Sequence, residues 1–297
     1  MGRIENLYIH HYKRLLLVPL ILLIISLSIL GYHNYKTGSF INKDVSLQGG
    51  ISVTVSTEKI FNIDGIKNSL EKDFPNSDVS IREIGEFGTN KKVGVTIDIS
   101  NVKATEVKDK LSKLLEIDFT DQNYSVEEVG PALGASFFEE MVFAVIFSIL
   151  FMGITVFITF RKIIPSIAVI SSIVLELVVT LAVLIVIGFK LSPAGIAALL
   201  MVMGYSIDTD ILLTTRVLKR DTGTLFERIK GATKTGVTMT STTIVVSILM
   251  LFTPSVVLRQ IFTIILIALI VDLISTWVMN SALLIWYIDR KQKHENK

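Results

Sequence analysis

Four carboxylates lie in apolar runs, where a carboxylate is expensive. The stretch GYSIDTDILLTTRVLKR, Gly204 to Arg220, places Asp208 and Asp210 in one such run, with no cation before Arg216. Glu176 lies in another, with Ser172 and Thr180 one turn away on either side. Asp272 lies in a third, followed by Ser275 and Thr276. An ionised carboxylate deep in hydrocarbon costs on the order of 3 kcal/mol. A chain that keeps several points to proton or ion traffic, or to conformational coupling. Thr240, Ser241, Thr242 and Thr243 enter a further span; such hydroxyls bond carboxylates or knit helices at about 1 kcal/mol per bond.

Helix geometry separates the two aspartates of the first run by about 200°. Asp208 falls on a stripe with Gly204, Leu212 and Arg216, and Asp210 on one with Met203, Thr214 and Val217. One can face the bundle interior while the other faces a partner chain. Asp208 is the first choice for the coupling acid, with Asp210 second. Glu176 and Asp272 are expected to join Asp208 in one polar cluster. Arg216 reads as a cation snorkelling to headgroups. The competing reading gives Asp208 and Asp210 a structural hydrogen bond to a Ser or Thr on the next helix, and makes Glu176 and Asp272 permanently protonated groups that only hold helices together.

The elements that carry them are membrane helices. The 297 residues are 51% hydrophobic and 19% charged, with mean hydropathy +0.60; a soluble domain carries roughly 25% charged residues. With no cysteine, thiol catalysis and zinc–thiolate sites are excluded. The four histidines all fall outside the apolar spans, which argues against a haem or an intramembrane histidine relay. No metal, cofactor or nucleic-acid partner is expected; the net charge of +2 says nothing about nucleic acid, because the positive charge lies at helix ends.

About 20 apolar residues span a membrane. Six runs qualify: Leu15 to Tyr32, Met141 to Phe160, Ile163 to Phe189, Ser192 to Leu218, Val237 to Val257 and Ile261 to Ile288. The first lacks a small-x-small cleavage site and reads as a retained anchor. Arg3, Lys13, Arg14, Arg161, Lys162, the Lys219–Lys234 cluster and the basic tail from Arg290 to Lys297 lie on one side, and the opposite short loops hold only Lys190 and Arg259. The bias puts both termini in the cytoplasm. The predicted division is 1–14 cytoplasmic, 15–32 first helix, 33–140 an extracytoplasmic domain, 141–288 a five-helix bundle and 289–297 cytoplasmic.

The inserted segment is domain-sized. Ile51–Ser56 alternates as a strand, Ile63, Ile66, Leu70 and Phe74 mark one helical face, and Val79–Ile84 can be a strand. A turn-rich link over Gly85–Asn90 leads to the strict alternation of Val93, Val95, Ile97 and Ile99. A second helix follows an Asn101 cap region, and Tyr124–Val129 closes the order βαββαβ, a ferredoxin-like arrangement.

Four motifs carry a resemblance over essentially the whole chain. They are LQGG (Leu47–Gly50), VGPALG (Val129–Gly134), IAALLMVMGYSIDTD (Ile196–Asp210) and TSTT (Thr240–Thr243). In this order they resemble the archaeal form of the SecF family, the smaller partner in SecD–SecF protein export. The resemblance implies a non-enzymatic half-transporter of the resistance–nodulation–division type, with six helices and one outer domain. It implies pairing with SecD, work beside a SecYEG-type translocon on unfolded exported polypeptides within the membrane lipid, and coupling to a proton or sodium gradient. The motif residues Gln48, Gly49 and Gly50 are expected in a tight turn entering the domain. Gly130, Pro131 and Gly134 are expected at the elbow leaving it, and Gly204 where helices approach closely.

The chain also departs from the bacterial pattern. Bacterial members place the acid at the position of Thr209, and an arginine precedes their fifth-span signature near the position of Gly236. Their third-span His-Asp pair reads Leu175-Glu176 here. The alternatives are a half-unit of a small-molecule or lipid exporter, or an uncoupled assembly subunit of the Sec channel. An intramembrane aspartyl protease is set aside because the chain has no GxGD.

Overall fold

The computed structural model describes residues 12–295, apart from 58, 60, 76, 86–91, 101, 103, 121–122, 220–221 and 254. The expected link over 86–90 and the Asn101 cap fall outside the described residues, as do Arg3, Arg220 and Lys297.

A four-residue helical turn, Tyr12–Leu15, leads into α1 (Leu17–Thr37), which Gly38 ends in the left-handed conformation. A second short turn, Val45–Gln48, is capped by Asp44, whose carboxylate accepts from the Val45 N–H at 2.6 Å. The domain follows: β1 (Gly50–Ser56), α2 (Ile63–Asp73), β2 (Val79–Gly85), β3 (Lys92–Ser100), α3 (Ala104–Leu115) and β4 (Tyr124–Val129). All pairings are antiparallel, in the order β2-β3-β1-β4. The alternation has its physical cause in burial. Ile51, Val53, Val55, Val95, Ile97 and Ile99 form one buried face, and α2 and α3 cover it with Ile66, Leu70, Val107 and Leu111. The opposite face carries Ser52, Thr54, Thr96 and Asp98 and turns toward the helical bundle, across a cleft shared with Ser192 and Gln260.

The bundle comprises α4 (Pro131–Phe160), α5 (Ile163–Val186), α6 (Pro193–Lys219), α7 (Leu225–Met250), α8 (Val256–Ile274), a π-helical segment (Ser275–Asn280) and α9 (Ser281–Glu295). Among the described residues, five stretches are long and apolar enough to cross a membrane: Tyr12–Thr37, Pro131–Phe160, Ile163–Val186, Pro193–Lys219 and Val257–Lys293. The expected fifth span corresponds to α7, which is not among them. Its hydroxyl run, from Thr233 to Thr243 and on to Ser247, lowers its hydropathy. In α5, α6 and the Val257–Lys293 stretch, half of the most apolar window is buried, against 6% in α4. These three therefore form the centre, and α4 lies at its edge.

Two sequence motifs meet where the chain enters and leaves the domain. Gly49 has φ +86°, and a Cβ there would fall 2.4 Å from Pro131 Cα. A Cβ on Gly134 would fall 2.8 Å from Gly49 N. Only glycine permits this backbone contact. The junction is held further by Asp44 N–H to Leu191 O (2.9 Å) and Leu191 N–H to Asn42 O (2.7 Å). An ion pair, Lys190 to Asp78 at 2.6 Å, joins the bundle to the sheet.

Candidate functional site

The buried stripe of α6 sets the site. Met203, Ser206, Asp210, Thr214 and Val217 are all buried, while Gly204 and Asp208 are exposed on the other side. Asp210 is therefore the interior acid of the pair. The expectation that Glu176 and Asp272 gather around Asp208 is corrected: they gather with Asp210. The physical reason is the 200° separation, which allows one aspartate inside and turns the other outward. Gly204 likewise meets nothing within 4 Å, so any close approach it permits is not to a helix of this chain.

Two further elements complete the cluster. On α5, Ser172, Glu176 and Thr180 repeat at each turn and are buried, with Glu176 2% exposed. On α8 and the π segment, Asp272, Thr276 and Asn280 are fully buried. Ser206 Oγ donates to Asp272 Oδ1 at 2.6 Å, and Thr276 Oγ1 donates to the same oxygen at 2.9 Å. Asn280 Nδ2 donates to Asp210 Oδ1 at 2.7 Å. Asp272 lies within electrostatic reach of both Glu176 and Asp210, and Ser172 faces Asp210.

Satisfaction of these groups is incomplete. Asp272 Oδ2, Asp210 Oδ2 and both Glu176 oxygens have no hydrogen-bond partner. The Ser172, Thr180, Thr214 and Thr240 hydroxyls and Asn280 Oδ1 have none either. Among the described residues no cation forms an ion pair with any of the three acids. Three ionised carboxylates cannot share such a site, since desolvation and mutual repulsion both oppose charge. Protonated carboxyls can, and the unpaired oxygens are acceptors for their protons. No three Asp, Glu or His side chains among the described residues converge to hold one metal ion. The arrangement suits the holding and passing of protons.

Asn280 and Ser206 were not singled out in the sequence. Asn280 follows Asp272 by eight residues, which in a regular α-helix falls about 80° off its face. The π segment between them changes that register. Such π turns recur at functional sites and leave no simple sequence signal. A second missed contact is Gly236. A Cβ there would lie 2.2 Å from Trp277 Cζ2, so the indole of the π segment fills the space beside α7. This is the neighbourhood in which the bacterial pattern places an arginine.

Of the hydroxyl motif, only Thr240 is fully buried. Ser241 and Thr242 are exposed, and Thr242 and Thr243 donate back to Met239 O at 2.6 and 3.3 Å. Arg216 is half-buried and donates to Thr235 Oγ1 at 3.0 Å, so it ties α6 to α7.

Comparison with known proteins follows this geometry. Residues 107–290 match the family model of the protein export membrane protein SecD/SecF, C-terminal. The chain is 37% identical over 287 residues to the protein-export membrane protein SecF of Methanocaldococcus jannaschii, covering 94% of this chain and 97% of that one. It is 34% identical over 285 residues to SecF of Methanothermobacter thermautotrophicus, covering 94% and 93%. Among solved structures, SecDF of Thermus thermophilus, a translocon-associated membrane protein, superposes with TM-score 0.75 at 20% identity. That likeness covers 95% of this chain and 38% of the SecDF chain. SecDF in a super-membrane-facing form gives TM-score 0.63, covering 97% and 39%. The chain thus spans about two-fifths of the length of these structures.

Proposed function

The chain belongs to the SecF family of protein-export membrane proteins, and from that premise we propose that its buried carboxyls couple export to a proton gradient. It is a multi-pass membrane protein with a SecF role in export. The carrying observation is the cluster itself. Glu176, Asp210 and Asp272 come from three neighbouring helical elements, are buried, and pair with no cation among the described residues. A carboxyl that gains and loses a proton there changes the hydrogen bonds of Ser206, Thr276 and Asn280, and with them the packing of α6 against the π segment.

In this reading α7 is the fifth of six membrane crossings, and the segment over 33–140 is a ferredoxin-like domain; the sheet order and the βαββαβ sequence support it. Residues 1–14 and 289–297 are cytoplasmic, 15–32 is the first span and 141–288 the remaining bundle. Asp208 and Gly204, exposed on α6, face a second membrane subunit, SecD. The SecYEG-type translocon, exported polypeptide and surrounding lipid are the further partners. The Gly49–Pro131–Gly134 contact acts as the elbow through which bundle movement reaches the domain.

The test is export of a secreted reporter in cells carrying Asp210→Asn or Asp272→Asn. Asparagine keeps the shape but cannot ionise. Loss of export with normal insertion and SecD pairing supports coupling. Normal export in both variants removes it. The second reading, an uncoupled subunit, is favoured by Trp277 packed at Gly236, which leaves no room for a cation there. Asp208→Asn separates the faces further: loss of SecD pairing assigns Asp208 to the interface.

A further inference from the structure

At the domain-bearing end of the bundle, the polar face of the sheet does not close onto the helices. A cleft of about 490 Å³ remains, walled by Arg82 on the domain and by Lys190, Arg259, Gln260 and Thr263 on the bundle. Its cations differ in state. Arg82 is paired with Asp98, and Lys190 with Asp78 at 2.6 Å. Gln260 uses both ends of its amide: Nε2 donates to Lys190 O at 2.8 Å, and Oε1 accepts from Ser192 Oγ at 2.9 Å. Glu83 borders the cleft and is engaged with a partner of its own. Arg259 is half-buried in the first turn of α8, and among the described residues its guanidinium has no acid or acceptor. A guanidinium presents five donors in a fork that matches phosphate, and the first turn of a helix adds to that attraction.

A second feature lies near this cleft in the chain, at the end of α5. An apolar groove of about 590 Å³ runs between α1 and α5, walled by Ile24, Ile25, Ile29, Ile185 and Val186. Its domain-side end carries Tyr32, His33 and Lys36. Ile185 and Val186 line the groove, and the next residues, Ile187 and Gly188, line the cleft. Groove and cleft are thus lined by consecutive residues at the end of α5. Val186 and Ile187 are 68% and 54% exposed, as suits side chains facing lipid tails.

We propose that this composite site holds one anionic phospholipid, its phosphate on Arg259 with Lys36 at the rim, and a hydrocarbon chain in the groove between α1 and α5. Charge complementarity in the cleft and an apolar groove lined by the residues next to it in the chain select a molecule that is both anionic and hydrophobic. The bound lipid would bridge the domain and the bundle beside the Lys190–Asp78 pair.

The experiment uses the full chain with its SecD partner, purified in detergent and incubated with vesicles of phosphatidylglycerol or of phosphatidylcholine. Retained lipid is read by native mass spectrometry, and inorganic phosphate binding is measured separately. The expected result is one phosphatidylglycerol retained per chain in preference to phosphatidylcholine, falling about tenfold in Arg259→Gln. Ile25→Trp, which blocks the groove, should lower lipid retention and leave inorganic phosphate binding unchanged. Among the described residues Arg259 pairs with no acid, so its variant should keep the parent's melting temperature; Lys36→Gln gives an independent, smaller decrease. Equal retention in the parent and Arg259→Gln overturns the proposal, as does no retention at all. Binding of inorganic phosphate as tight as that of phosphatidylglycerol identifies a free anion and overturns the lipid assignment. Displacement of the lipid by an acidic peptide at equal concentration assigns the cleft to polypeptide and overturns it too.

Discussion

The domain and the bundle each bury acids, and they treat them in opposite ways. In the domain, Asp98 is 1% exposed, accepts from Ser52 Oγ at 2.7 Å and is paired with Arg82. In the bundle, Glu176, Asp210 and Asp272 are as deeply buried but, among the described residues, receive two side-chain hydroxyl bonds and one amide bond. A carboxylate facing a guanidinium keeps its charge and fixes a geometry. A carboxyl in low dielectric without a cation can carry its burial only by holding a proton, so its protonation and its packing are linked. In the proposed coupling, the same residue type is structural in one region and exchanges a proton in the other. The difference lies in the counter-charge, not in the depth.

The largest effect should come from removing ionisation where no cation stands. Asp210→Asn or Asp272→Asn should lower reporter export about tenfold or more, with unchanged insertion on a membrane fractionation. An unchanged export rate would erase the contrast between the regions. The equivalent change in the domain should act on stability. Asp98→Ala leaves Arg82 without its acid and should cost about 3 kcal/mol, read as a lower melting temperature of the complex, with export restored at lower growth temperature. Loss of export without loss of stability would place Asp98 in the same class as the bundle acids.

Next in size is the contact that fills the bacterial arginine position. Gly236→Ala drives a Cβ into Trp277 and should destabilise by about 2 kcal/mol, measured by thermal unfolding with tryptophan fluorescence. Recovery by Trp277→Phe in the same chain would attribute the cost to that contact.

The smallest effect is a pH dependence at the junction. Burial, and then the nearby Asp98, push the Asp44 carboxyl above the usual carboxylate range. The folded junction therefore takes up a proton more readily than the open one. Its contribution to stability is complete below the ordinary value of about 4 and is lost as pH rises through the raised one. Asp44→Asn keeps the cap, as asparagine caps about as well as aspartate. It should flatten this dependence, by less than about 1 kcal/mol, in protease-protection profiles of the domain across that window. A profile that stays sloped in the variant would transfer the dependence to another group.

Much of the architecture was legible because it rests on period. The two-residue alternation in Val95, Ile97 and Ile99 and the three-to-four spacing of Ile66 and Leu70 can bury an apolar face only as a strand and as a helix. The stripes of α6 were legible for the same reason. What was missed lies where period fails. The π segment re-registers Asn280 onto Asp210, and α7 carries too many hydroxyls to announce a span by hydropathy.

The sequence by itself determined the chemistry available: carboxyls in apolar helices, no thiols, glycines at the domain's entry and exit, and the family through its ordered motifs. It also determined that Asp208 and Asp210 take opposite faces, since that follows from the rise and turn of one helix. Which face is inside was decided only by the tertiary structure, because inside is defined by the neighbours that α5 and α8 supply. The same holds for the cation that Asp98 has and Asp210 lacks. Arg82 and Asp98 stand on neighbouring strands through a pairing register, and Trp277 reaches Gly236 through a widened helical turn. A counter-charge is a property of the assembled fold, and no local pattern of residues encodes it.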